Sequence, residues 1–159
     1  MAREFEHHDH ELCVADALAA AENHCANGGV QFTPVRRRVL EILLEEHRAL
    51  GAYDVLDRLK EDGLGSQPPA AYRALDFLVK NGLAHRIERL NAFVACTHGP
   101  TDHVPAFLIC ETCNAVAETV SQTALGALDE SASKAGFEIS QVVVEARGIC
   151  APCRDEAGA

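Results

Sequence analysis

Four cysteines fall into two pairs, Cys110-Glu-Thr-Cys113 and Cys150-Ala-Pro-Cys153. Two residues between thiolates let both sulfurs of a tight turn face one ion, and two such knuckles complete a tetrahedral zinc site with Zn–S of about 2.3 Å. A redox CxxC is the competing reading, but it wants its first cysteine at a helix N-terminus after a strand. Phe107-Leu-Ile-Cys110 and Ala115-Val-Ala-Glu-Thr-Val120 read instead as strands flanking the first knuckle, which makes it a hairpin turn. Seven cysteines in a reducing compartment serve metals or redox work rather than disulfides. Cys13 and Cys25 sit in a helical pattern and read as small buried hydrophobes.

The charged residues add a second kind of chemistry. The net charge of −10 argues against a nucleic-acid partner when taken whole, because phosphate binding needs clustered cations. The distribution argues otherwise. Residues 1–32 carry one basic and six acidic side chains, 33–90 ten and nine, and 91–159 three and nine. Any anionic partner must therefore meet the middle segment. With no tryptophan, two tyrosines and six phenylalanines, platforms for stacking single-stranded bases are scarce.

The elements that must position these groups follow from periodicity and punctuation. Residues 11–26 have alanine-rich helical spacing, broken by Asn27-Gly28-Gly29. Thr33-Pro34 supplies an N-cap and a first-turn proline for a helix with Val35, Val39, Leu40, Leu43 and Leu44 on its apolar face. Arg36, Arg37 and Arg38 occupy its first turn, where the helix dipole disfavours cations, so another use for them is expected. A second short helix spans Ala52 to Glu61, and Pro68-Pro69 opens a third that ends at Asn81-Gly82. Leu83 to Ile87 and Asn91 to Cys96 alternate as a two-stranded hairpin.

Three short helices and a hairpin describe a winged helix-turn-helix, whose third helix enters the major groove. Arg73 would lie near the start of that helix, placed to donate two bonds to guanine O6 and N7, with Tyr72, Tyr53 and Arg36 as candidates for phosphate oxygens. Against this, a tyrosine at helical spacing is usually core and a lone arginine usually solvated. Residues 97–105 form a polar, proline-bounded linker. Beyond it come the strands around the first knuckle, a helix over 121–135 with Ala124, Leu125, Leu128 and Ala132 on one face, a strand from Phe137 to Glu145, and the second knuckle. A unit this small has little core of its own and needs a metal or a partner subunit.

The expected class is thus α+β, with a winged helix-turn-helix DNA-binding domain over 1–96, a hinge over 97–105 and a zinc-stapled α/β dimerisation domain over 106–159. The first twelve residues lack an apolar signal core and no run approaches the ~18 apolar residues of a membrane span, so a cytoplasmic protein without membrane attachment is expected.

Thr33-Pro-Val-Arg36, Ala52-Tyr-Asp54, Pro68-Pro-Ala-Ala-Tyr-Arg-Ala-Leu-Asp-Phe-Leu78 and the paired knuckles together resemble the ferric uptake regulator family, over about residues 12 to 153. Iron-sensing members carry a His-His-Asp-His stretch just before the first CxxC. This chain has Asp102-His103-Val-Pro-Ala-Phe-Leu-Ile-Cys110 there and Cys96 in the wing, which is the pattern of the branch that regulates zinc uptake. The string His7-His8-Asp9-His10 lies in the N-terminal tail and cannot stand for that motif; it reads as a solvated tail that captures metal loosely at most.

The resemblance implies that His85, Cys96, His103 and Glu118 are regulatory zinc ligands, beside a structural zinc on Cys110, Cys113, Cys150 and Cys153. One thiolate, two imidazoles and a carboxylate suit four-coordinate zinc better than magnesium or manganese, with nickel and cobalt as alternatives. It also implies two zinc ions per subunit, a homodimer, and zinc-dependent repression of zinc-uptake genes at palindromic, AT-rich operator DNA. The alternative within the family is a sensor of iron, manganese, nickel or peroxide. Relatives have a threonine where this chain has Ala70, removing a hydroxyl that caps the recognition helix or touches phosphate. Some relatives hold a third metal site; His98 and Asp102 could contribute, but Ile139 to Arg147 lacks the histidine such a site uses. Two other classes make different predictions. A thiol oxidoreductase or peroxide reductase needs reactive knuckle thiols, and a zinc-stapled interaction module has no salt-dependent affinity for DNA. The expected reading is a regulator, not an enzyme.

Overall fold

The computed structural model describes residues 10–158 apart from 47, 66, 102 and 121. Asp102 and the His7-His8-Asp9 run lie outside the described residues, as do the side chains of His10 and Ala124. The element order is α1 (His10–Asn27), α2 (Pro34–Glu45), α3 (Ala52–Glu61), α4 (Pro68–Lys80), β1 (Ala84–Ile87), β2 (Ala92–Ala95), β3 (Pro105–Cys110), β4 (Val116–Val120), α5 (Gln122–Ala135), β5 (Val144–Gly148) and α6 (Ala151–Ala157). This is an α+β chain with a helical N-terminal half and a small sheet in its C-terminal half.

One core organises the first half. Leu18, Ala21 and Cys25 on α1, Val39, Leu40, Ile42 and Leu43 on α2, Val55, Leu56 and Leu59 on α3, and Ala71, Ala74, Leu75 and Leu78 on α4 pack together with Ala84 and Phe93 of the hairpin. Each helix thus spends its 3.6-residue stripe on the same interior. The expected caps are present at α2, where Thr33 Oγ1 accepts from Arg36 N at 3.4 Å and Pro34 occupies the first turn. At α4 the N-cap is Gln67, without a side-chain cap bond, and Ala70 adds no hydroxyl. Cys13 departs from expectation: it is exposed, because the buried stripe of α1 runs through Leu18, Ala21 and Cys25 and its extension four residues upstream is Val14.

β1 and β2 form an antiparallel hairpin in which His85 faces Val94, and Leu50 adds a one-residue bridge to Phe93 on its outer edge. The second sheet has the order β4-β3-β5, with β4 antiparallel and β5 parallel to β3. The strand expected over Phe137 to Glu145 lies instead at Val144–Gly148. β4 returns the chain to the start of β3, so a parallel β5 must begin at that same end. α5 carries the chain about 21 Å away, and residues 136–143 bring it back without a strand partner. α6, which no periodicity had suggested, is a short helix with Pro152 in its first turn and Cys150 as its N-cap.

The two halves share a small apolar cluster. Ile87 of the hairpin packs with Phe107 and Ile109 of β3, with Ala49, Val94 and Val116 around them. By contrast α5 leaves Leu128 exposed, and Phe137, Val143 and Ile149 are exposed nearby in sequence. Among the described residues, no member of the apolar face expected on α5 joins either core cluster.

Candidate metal centres and nucleic-acid interface

The strand ends set the four-sulfur group. Cys110 closes β3, Cys113 lies in the turn to β4, Cys150 caps α6 and Cys153 sits in its first turn. Asn114 takes the left-handed conformation (φ 58°) that lets this turn reverse, a role asparagine tolerates better than most residues. The sulfurs of all four lie within 4.8 Å of one another, with Cys113 and Cys150 Sγ 3.7 Å apart. A tetrahedron with 2.3 Å Zn–S bonds has edges of about 3.8 Å. The second knuckle does place its first cysteine at a helix N-terminus after a strand, the geometry a redox pair wants, but the sulfurs it faces belong to the first knuckle.

The thiol electrostatics favour a cation. The backbone N–H groups of Cys150 and Cys113 hold the Cys110 thiol down at about 6, the former donating to its sulfur at 3.4 Å. Contacts with the sulfurs of Cys150 and Cys113 push Cys153 up. One thiolate forms readily, and further ones are opposed until positive charge is supplied.

The second group draws on three parts of the chain: His85 in β1, Cys96 just after β2, His103 in the linker and Glu118 in β4. Their ligand atoms also lie within 4.8 Å of one another. Glu118 is 4% exposed and is the buried charged residue among those described. Its Oε2 accepts from Thr97 N at 2.8 Å and from Thr97 Oγ1 at 3.1 Å, so that oxygen is spent on orientation. Its Oε1 faces His103 Nε2 at 2.8 Å, His85 Nε2 at 3.0 Å and Cys96 Sγ at 3.8 Å.

The nitrogens point to what this group accommodates. His103 Nδ1 lies 2.7 Å from the carbonyl oxygen of Thr101, an acceptor only, so Nδ1 donates. Nε2 lies 2.8 Å from Glu118 Oε1, donating there when it carries a proton and presenting a lone pair to a cation when it does not. His85 Nε2 is sealed from solvent and makes no aligned hydrogen bond, although Oε1 of Glu118 is 3.0 Å away. An orphaned buried nitrogen costs about 1–3 kcal/mol. Two imidazole nitrogens, a carboxylate oxygen and a sulfur converging within 4.8 Å of one another fit a cation of zinc's size and preference. Burial and then the charge of Glu118 push the Cys96 thiol up to about 12. Burial also works against ionisation of Glu118, yet the contacts from His85, Thr97 and His103 outweigh it and hold the carboxyl at about 2. Thr97 and Thr101, which orient two of these groups, carried no sequence signal. His98 stands at the rim, Nδ1 3.6 Å from Glu118 Oε1 and more exposed than the four.

In the helical half, α4 presents Tyr72, Arg73, Asp76 and Lys80 to solvent. Tyr53 and Tyr72 are 67% and 45% exposed, so neither belongs to the core. Arg73 is exposed and has no ion pair among the described residues. Arg36 is partly committed elsewhere: its guanidinium lies 3.8 Å over the Phe77 ring and donates to the Gln31 carbonyl. Its neighbours are committed more fully, Arg37 to Glu22 and Arg38 to Asp62, Glu41 and Glu45. Carboxylates thus offset the dipole cost of Arg37 and Arg38, and these ion pairs within the chain are the use the structure shows for them.

Comparison with known proteins agrees with this architecture. The profile of the ferric uptake regulator family matches residues 27–147. The zinc uptake regulation protein of Escherichia coli (strain K12) is 40% identical over 140 residues, covering 87% of this chain and 81% of that protein. A zinc uptake regulator complexed with zinc and DNA superposes with a TM-score of 0.87 at 37% identity, covering 92% of this chain and 98% of the other. Holo XcZur, 36% identical, gives 0.80 over 87% of this chain and 96% of its own. Apo XcZur, at the same identity, gives 0.51 over 89% and 97%. At equal sequence similarity, the arrangement seen here is nearer the holo form.

Proposed function

Since the chain belongs to the ferric uptake regulator family, we propose that it is a zinc-responsive transcriptional repressor of zinc-uptake genes, acting as a cytoplasmic homodimer on palindromic operator DNA. The observation that carries this reading is the convergence of His85, Cys96, His103 and Glu118 from the hairpin, the linker and the C-terminal sheet. Residues 1–96 serve as the DNA-binding domain, 97–105 as the hinge and 106–159 as the dimerisation domain. We assign one zinc per subunit to this group and one to Cys110, Cys113, Cys150 and Cys153.

Bound to the first group, zinc would supply a cross-link among three segments that otherwise meet through a small apolar cluster and a few hydrogen bonds. His85 and Cys96 then hold the hairpin, His103 the hinge and Glu118 the sheet, so α4 is presented in one orientation. Arg73 reads a base from α4, while Tyr72, Tyr53 and Arg36 meet phosphate oxygens. The exposed apolar residues Leu128, Phe137 and Val143 suit burial against a second copy. The likeness to the zinc- and DNA-bound relative supports the zinc reading over other metals and over thiol chemistry. No helix among the described residues is long and apolar enough to cross a membrane.

A gel shift on a palindromic AT-rich operator, under buffered free zinc, manganese, iron or nickel, tests the reading. Tight binding should appear with zinc at the lowest free concentration. Equal binding without metal, or a response confined to another metal, would refute it.

A further inference from the structure

The hairpin carries a second tie to the C-terminal sheet, and no metal ligand takes part in it. Glu145, in β5, accepts the backbone N–H of Glu88 at 2.8 Å through Oε1 and that of Arg89 at 3.4 Å through Oε2. These two peptide groups open the turn between β1 and β2. A carboxylate receiving two adjacent N–H groups makes charge-assisted bonds, and its own place is set by main chain, since Glu145 pairs with Phe107 in the parallel ladder. The Phe107 ring lies 5.5 Å from that of His85, so the latch and the metal group hold the same hairpin from one sheet.

Leverage gives the latch its effect. From His85 to Glu88 is three residues, about 10 Å along a strand. His85 and Cys96 converge on one metal position, so they tie the hairpin at a point about which it can swing, and a second tie about 10 Å from His85 fixes its direction. We propose that Glu145 is a positioning residue for operator recognition, its carboxylate latching the hairpin turn to the C-terminal sheet and so fixing the orientation in which α4 is presented. The proposal rests on the zinc-repressor reading. Glu145 contacts neither the ligand group nor the DNA-facing side of α4, so its removal acts through the docked arrangement. A contact favouring that arrangement raises affinity for zinc and for operator together.

The test uses the full-length protein with Glu145→Ala and Glu145→Gln. In metal buffers, Glu145→Ala should weaken zinc binding at the sensor group and operator binding at subsaturating zinc by similar factors, about three- to tenfold. Four-sulfur zinc content and the thermal midpoint should stay at parental values. Glu145→Gln keeps one acceptor for Glu88 and should fall between, so it carries the test if the alanine variant fails to fold. Hydrogen exchange in the zinc-loaded form should show Glu88 and Arg89 amides protected in the parent and released in Glu145→Ala. Parental zinc and operator affinities in a folded Glu145→Ala overturn the proposal, whatever the exchange rates. A parent that binds operator without regard to zinc refutes the functional reading instead, and protected Glu88 and Arg89 amides that do not depend on Glu145 still refute the latch.

Discussion

In the proposed sensor group, Glu118 and Cys96 set metal against protons. A buried carboxylate held near 2 faces a thiol pushed up to about 12, so near neutral pH the metal-free group holds its proton on sulfur. Zinc must displace that proton. The direction follows: the Cys96 proton stabilises the metal-free state at low pH, so zinc binding tightens as pH rises and never weakens through this residue. Apparent affinity should climb about tenfold per pH unit from Cys96 alone between pH 6.5 and 8, with one proton released per ion. Calorimetry in buffers of different ionisation enthalpy checks this; no net release would contradict it. Cys96→Ser should retain the four-sulfur zinc, halve the zinc content and abolish the zinc response. At the DNA face, Arg73→Ala should cost about 1–3 kcal/mol of operator binding and relax specificity at one base pair, as read by titrating operator variants.

At the scale of elements, the C-terminal sheet has little to stand on besides its metal. Ile87, Phe107 and Ile109 are a thin core beside the twenty buried residues of the helical half. Cys110→Ser should therefore leave the helices folded and unravel the sheet and α6, seen as loss of dimer and of strand signal at unchanged helix melting. A dimeric variant with parental stability would rule this out. In the other half, Leu75→Ala on α4 should cost about 2–5 kcal/mol, because Leu75 is fully buried where α4 meets its neighbours. These helices were legible in the sequence because each was punctuated: Thr33-Pro34, Pro68-Pro69 and Asn81-Gly82 mark ends through backbone chemistry. β5 was not, since Phe137 to Glu145 is rich in strand-forming residues and only the parallel pairing to β3 pushes the ladder to Val144. The ligand candidates could be named by residue type and resemblance, whereas the partners of Arg37 and Arg38, the orienting threonines and the Glu145 latch depend on contacts between distant segments.

For the whole molecule, charge and geometry make different demands. The chain carries −10 before metal, and two zinc ions on five thiolates leave it one unit more negative. Neutralisation therefore cannot drive DNA binding. On the proposed reading, the acidic flanks keep non-specific affinity low and leave recognition to a nearly neutral middle segment that needs two copies held in register. The most direct test measures operator affinity against buffered free zinc for the parent and Cys96→Ser at constant ionic strength. The parent should bind steeply as zinc rises while the variant, still dimeric and still holding its four-sulfur zinc, stays at the non-specific level. A variant that binds operator as tightly as the zinc-loaded parent would contradict the account.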